Sequence, residues 1–287
     1  MGPHGIFYPA SMNPLIVSTF VIVFRETLEA ALIVGIILAF LARTHAQPFM
    51  RQVLSGTVSA LLASGVIAFL FERTVGSFEG RAAQIFEGLV ALVASGVLTY
   101  MIFWMHRQAS RIRTHMEAEL VAVVNRKDLW ALWGMAFFAV LREGAETILF
   151  LKASALQAGG AVSTLGGVSG FFLAALLVFV VFWLGRKIPL KPFFHGTGFL
   201  LTLMAAGLLG YGVHELGEAG WLPVLIEHAW DVNGVLNEKE GMGSFLKAIF
   251  GYNGNPSLLE AVSYYTYLLG ILTLLECRKA SEAQAPA

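Results

Sequence analysis

Seven stretches of this chain, at about 14–42, 53–71, 81–106, 129–156, 162–184, 194–215 and 258–277, stay apolar for about 20 residues or more. A run of that length crosses the hydrocarbon core of a bilayer as an α-helix, which satisfies its own backbone N–H and C=O groups where no water is present. The fold class that follows is an all-α polytopic membrane protein with seven transmembrane helices, one integral membrane domain over 1–287. Composition agrees, because only 13% of residues are charged, against about 25% in a soluble domain. Gln47-Pro48, Gly159-Gly160, Ile188-Pro189 and Lys191-Pro192 punctuate the connectors between runs.

Basic residues orient the runs. With the N-terminus outside, Arg43, Arg51, Arg107, Arg111, Arg113, Arg126, Lys127, Arg186, Lys187, Lys191, Arg278 and Lys279 all fall inside. Arg73, Arg81, Lys239 and Lys247 fall outside. That asymmetry is what the positive-inside rule asks for, so the expected topology is N-out and C-in. Met1–Asn13 has no basic residue and the first run is too long for a signal-peptide core, so that run is expected to stay as an anchor. A formal net charge of zero gives no reason to expect nucleic acid as a partner, and the single Cys277 excludes an internal disulfide or thiolate cluster. The six tryptophans, mostly at run ends, are read as interfacial anchors, and the tail after Lys279 as disordered.

The first and fourth runs each contain an exception to their apolarity. Arg25-Glu26-Thr27-Leu28-Glu29 lies in one and Arg142-Glu143-Gly144-Ala145-Glu146 in the other. On a helix, residues three or four apart share a face. Glu26 therefore stands beside Glu29, Glu143 beside Glu146, and each arginine reaches its own second glutamate. Ionised groups at membrane depth cost about 2.5–3.5 kcal/mol each on insertion scales. Four carboxylates against two guanidiniums leave an excess of negative charge, relieved by protonation or by a bound cation. Carboxylate oxygens are hard ligands and suit ferric iron first, with manganese, magnesium and calcium behind. Glu26, Glu29, Glu143 and Glu146 are the candidate metal ligands, supported by Arg25 and Arg142. Glu87, early in the third run, is a further ligand, a hydrogen-bonding group or a proton site. The bland alternative is a pair of self-neutralising clamps; duplication with a spare glutamate in each argues for a site.

The two motifs fall in runs that cross in opposite directions, which suggests a 3+3 inverted repeat plus one C-terminal helix. Repeat A covers about 14–106, repeat B about 129–215, an outer loop 216–257 and a final helix 258–277. Leu92, Gly96 and Tyr100 recur as Leu203, Gly207 and Tyr211 at a constant offset. Inverted repeats place substrate sites near the midplane where the halves meet. At the outer end of the sixth run, His214, Glu215 and Glu218 form either an outer-face cation site or a solvated helix end. Glu227, His228 and Asp231 have the same two readings. Lys152 either snorkels to the headgroups or lines a pore. Gly241–Phe250 is expected to lie at the interface with Phe245, Ile249 and Phe250 toward lipid. A basic inside loop, 107–128, contains a His115–Glu119 patch.

On these residues the chain resembles the high-affinity iron permease family, the oxidase-dependent iron transporters of fungi and bacteria. The duplicated Arg-Glu-x-x-Glu carries the likeness, and the stretches His214–Pro223 and Phe250–Glu260 extend it over nearly the whole chain. The resemblance implies seven spans, import of iron across the inner (plasma) membrane, and Glu26, Glu29, Glu143 and Glu146 as iron ligands. Iron is then the transported substrate and no cofactor is expected. The resemblance also implies an iron-oxidising or iron-delivering periplasmic partner, here a separate protein. Relatives associated with lead or other metals leave the cation open. Two competitors remain: a membrane di-metal carboxylate enzyme, and a structural or sensor protein. Di-metal enzyme sites typically add a Glu-x-x-His, and neither motif has one.

Overall fold

The computed structural model describes residues 14–75, 78–108, 112–183, 190–223 and 226–284. Among them the chain is all-helical, with no strand: α1 Pro14–Arg43, α2 Met50–Val75, α3 Arg81–Gln108, α4 Ile112–Asn125, α5 Leu129–Ala158, α6 Thr164–Trp183, α7 Leu190–Glu218, α8 Gly241–Phe250 and α9 Leu258–Gln284. Each of the seven apolar runs is a helix. Five segments, Gln47–Thr74, Arg81–Trp104, Thr164–Phe182, Gly196–Glu218 and Leu258–Cys277, are long and apolar enough to cross a membrane. The other two runs, α1 and α5, are 30 residues each and carry the Arg-Glu motifs. Local chemistry sets the limits of α5. The Asp128 side chain accepts the Ala131 N–H at its start, and Gly159, with φ +66°, closes it by donating to the Ala155 and Leu156 carbonyls.

Helix pairing places the motifs. α1 packs along α6, α2 along α5 and α3 along α7, with α1 against α5 and α9 on the flank of α7. Exchanging α1 with α5, α2 with α6 and α3 with α7 reproduces these pairings among the six helices, α9 standing outside the exchange. Glycines let the paired backbones meet. A Cβ on Gly56 of α2 would stand 2.5 Å from the Trp133 carbonyl of α5, and one on Gly166 of α6 would collide with the Ile16 carbonyl of α1. Trp133 and Ile16 each lie nine residues before their motif arginine, so the two close approaches occupy matching positions. Gly56→Leu and Gly166→Leu are each expected to lower the melting temperature in detergent by wedging a pair apart, at about 1–3 kcal/mol of overpacking. Gly65→Leu, with nothing within 4 Å of its Cβ, serves as the control and leaves the melting temperature unchanged.

The outer faces of α2 and α6 expose Leu62 and Phe172 by about two thirds of their surface, as expected of helices whose surroundings are lipid. Between the helices lie three apolar clusters among the described residues. The largest joins Ile22, Leu98, Met101, Phe150, Leu201 and Met204.

Four features differ from the sequence reading. The 107–128 connector contains a helix, α4, whose Leu120 is fully buried with Ile37, Val53 and Leu132. α8 does not turn Ile249 to lipid. Ala248 and Ile249 are buried, because α8 packs on α1, α5 and α7. α9 continues five residues past Lys279 to Gln284 through Ala, Ser, Glu, Ala and Gln, mostly good helix formers. Lys152 has a partner that the sequence reading did not assign, Glu72 of α2 at 2.9 Å. Residues 1–13 and 285–287 and the side chains of 105–118, 183–195 and 278–287 lie outside the described residues. Most of the basic residues that the sequence reading places inside, and the His115 patch, fall there.

Candidate metal centre

Contact between α1 and α5 brings the two motifs together. Glu26, Glu143 and Glu146 each present a carboxylate oxygen, and these oxygens lie within 4.8 Å of one another. Glu29 stands outside that group. Arg25 holds it, with Nη2 at 2.6 Å from Glu29 Oε1 and Nη1 at 2.5 Å from Glu26 Oε1. The Arg25 side chain is fully buried, and both its terminal nitrogens lie 3.7 Å from Met101 Sδ of α3. Arg142 is different. Its side chain is 40% exposed, its Nε donates to Glu146 Oε1 at 2.8 Å, and its guanidinium stacks 5.1 Å over the Trp104 ring. Trp104 thus serves the motif rather than standing free as an anchor.

Glu26 Oε2, Glu143 Oε2 and Glu146 Oε2 are buried and accept no hydrogen bond. Buried acceptors without donors cost about 1–3 kcal/mol each, more for charged groups. Such oxygens, converging from two helices, offer a cation hard donors that nothing else occupies. One side of the motifs borders a 610 Å³ groove between α1, α2, α5 and α6, largely apolar apart from Glu26, Glu143 and a few hydroxyls including that of Ser64. About one turn away on the other side, Ile22 and Phe150 belong to the largest apolar cluster.

Glu87 does not join the motif glutamates. Tyr211 Oη donates to its Oε2 at 2.8 Å. It lies 14 residues before Met101 on α3, about 21 Å along the axis at 1.5 Å per residue. It belongs instead to a second cluster at the end of the bundle formed by the 219–257 loop. There His214 Nε2 is 3.3 Å from Glu218 Oε1 and His214 Nδ1 is 3.4 Å from Glu260 Oε2. Glu218 is half exposed and also accepts from Gln84. Glu215 lines the same end, in a 590 Å³ cavity with Tyr211, His214 and Glu260. Glu227 and His228 border a smaller neighbouring pocket, and Asp231 accepts the Asn233 N–H at 3.0 Å. The loop itself is tied by Glu238. Burial pushes its carboxyl up, but Lys247 at 2.9 Å and the Gly254 N–H at 3.0 Å outweigh this and hold it below the ordinary carboxylate range. Sequence reasoning missed Glu260, Gln157 and Met101. Glu260 ends the Phe250–Glu260 stretch that carried part of the resemblance, so its signal was present but had no assigned role.

A sequence profile described as the iron permease FTR1 family matches residues 16–279. The chain belongs to that family. It is similar to the ferrous iron permease EfeU of Yersinia pestis, 37% identical over 257 residues that cover 89% of this chain and 91% of the relative. EfeU of Escherichia coli O6:H1 is 35% identical over 256 residues, 88% and 92% of the two chains. No solved structure matches. As a member of the iron permease FTR1 family, the protein is a multi-pass membrane transporter of iron and not an enzyme. The di-metal enzyme reading therefore falls.

Proposed function

We propose that the chain imports iron across the inner membrane through a carboxylate site formed by its two Arg-Glu-x-x-Glu motifs. The observation that carries this is the convergence of Glu26, Glu143 and Glu146, with a buried, undonated oxygen on each. Four carboxylates against two guanidiniums leave more acceptor oxygens than a pair of packing clamps needs. Glu29 stays with Arg25, which also holds Glu26, while Arg142 aims Glu146.

The proposed topology is seven spans, N-out and C-in, in a 3+3 inverted repeat followed by α9. The pairings, unchanged when the halves are exchanged, support it. The 219–257 loop then faces outward, His214, Glu215 and Glu218 collect cations there, and alternating access about the α1–α5 contact carries them inward. A separate periplasmic protein delivers or oxidises the iron. All-oxygen donors favour ferric iron, whereas the relatives are named for ferrous iron. Ferric iron is our reading for the motif site itself.

The test is uptake into proteoliposomes supplied separately with ferric and with ascorbate-reduced ferrous iron. Ferric uptake above protein-free vesicles supports the reading. Uptake of ferrous iron alone overturns the valence, and uptake of lead or manganese in preference to both overturns the cation.

A further inference from the structure

The cavity at the loop end contains a buried acid that the motif site does not use. We propose that it is a second cation site, centred on Glu260, that takes a hydrated divalent first-row cation such as ferrous iron or Mn²⁺. The inference rests on the import reading for its purpose but not for its chemistry.

Glu260 is only 7% exposed, yet it lines the 590 Å³ cavity. Asn253 Nδ2 donates to both its oxygens at 3.0 Å and His214 Nδ1 approaches at 3.4 Å. These contacts fix the carboxylate without exhausting its lone pairs. An amide on the cavity wall points independently to a ligand. Asn255 Oδ1 is buried and has no hydrogen bond. Gln157, on the last turn of α5, is 6% exposed and lines the same cavity. It is wedged at the cavity floor between Gly207 and Gly251; a Cβ on either glycine would lie 2.8 Å from Gln157 Nε2. Only glycine at both positions leaves room for that amide, and Gly251 also has φ +71°. A buried amide oxygen without a partner, such as Asn255 Oδ1, is costly in an empty cavity and becomes a ligand in an occupied one.

The charge and the volume agree. Glu215, Glu238 and Glu260 line the cavity against Lys239 and Lys247, and Lys247 is engaged by Glu238 at 2.9 Å. Six waters at about 30 Å³ each fill roughly a third of the space, so a cation enters without shedding its hydration. A carboxylate and an amide oxygen beside an imidazole suit a hydrated divalent ion, where the motif offers carboxylates alone. Gln157 lies 11 residues beyond Glu146 on α5, about 16 Å along the helix, so the two sites are separable by measurement.

The experiment titrates the purified full-length protein with Mn²⁺ and follows the free ion by electron paramagnetic resonance. The expected result is two sites. Glu260→Gln weakens one of them roughly tenfold or more, the loss typical when a ligand or its direct support is removed, and leaves the other. Glu143→Gln does the reverse. His214→Gln and Asn255→Ala weaken the same site as Glu260→Gln, which keeps the test open should that variant misfold. A single site abolished by Glu143→Gln and untouched by the Glu260, His214 and Asn255 variants overturns the inference and leaves the motif reading standing. Binding lost in those variants but unaffected by Glu143→Gln supports the inference and removes the motif reading.

Discussion

Iron uptake by Glu26→Gln and by Glu143→Gln proteoliposomes is expected to fall to background, while Glu29→Gln retains a measurable fraction. The asymmetry comes from geometry. Glu26 and Glu143 supply two of the three converging oxygens, and glutamine replaces a charged donor there with a neutral amide. Glu29 is held by Arg25 outside that group, so its loss disturbs aim rather than ligand number. Metal affinity depends on deprotonated ligands, and losing one of three charged donors is expected to reduce initial rates by about a hundredfold, the upper range for disturbing a metal site. Each variant must elute as a monodisperse peak at the parent position. Equal rates for all three variants and the parent would sink the ligand assignment; a Glu29→Gln rate at background would restore the four-carboxylate site.

The second large effect concerns stability. Arg25→Met is expected to destabilise the fold by about 3–5 kcal/mol, because it leaves Glu26 and Glu29 buried without their counter-charge. Arg142→Met is expected to cost less than Arg25→Met, since the Arg142 side chain is 40% exposed rather than enclosed by carboxylates on a fully buried site. Thermal unfolding in detergent separates the two. A melting temperature for Arg25→Met within a degree or two of Arg142→Met would show that the buried guanidinium is not structural.

Much of this was legible in the chain itself. Apolar runs long enough to cross a bilayer gave the helices to within a few residues, because length and hydropathy are properties of consecutive residues. The motif glutamates were legible for the same reason: helical spacing sets a shared face. What was not legible depends on partners distant in sequence. Glu87 read as a companion of the motif because it sits in an apolar run; its hydrogen bond to Tyr211, 124 positions away, decides otherwise. The difference between Arg25 and Arg142 is likewise invisible in two identical pentad patterns, since it comes from Met101 and Trp104 on α3. α8 read as a surface helix because its ten residues are amphipathic, and nothing local says that Gly251 meets Gly207.

The crossed pairing of the helices has a consequence for motion. α1 packs along α6 and α5 along α2, so under the proposed alternating access the bodies that slide against each other are not the two halves of the sequence. Each body takes one helix or more from either half, and the seam between them runs where α1 meets α5. Glu26 stands on one bank of that seam, Glu143 and Glu146 on the other. In the proposed cycle, parting the banks takes the cluster from three donors to two on one side and one on the other, so the step that opens the path is also the step that loosens the grip on the ion.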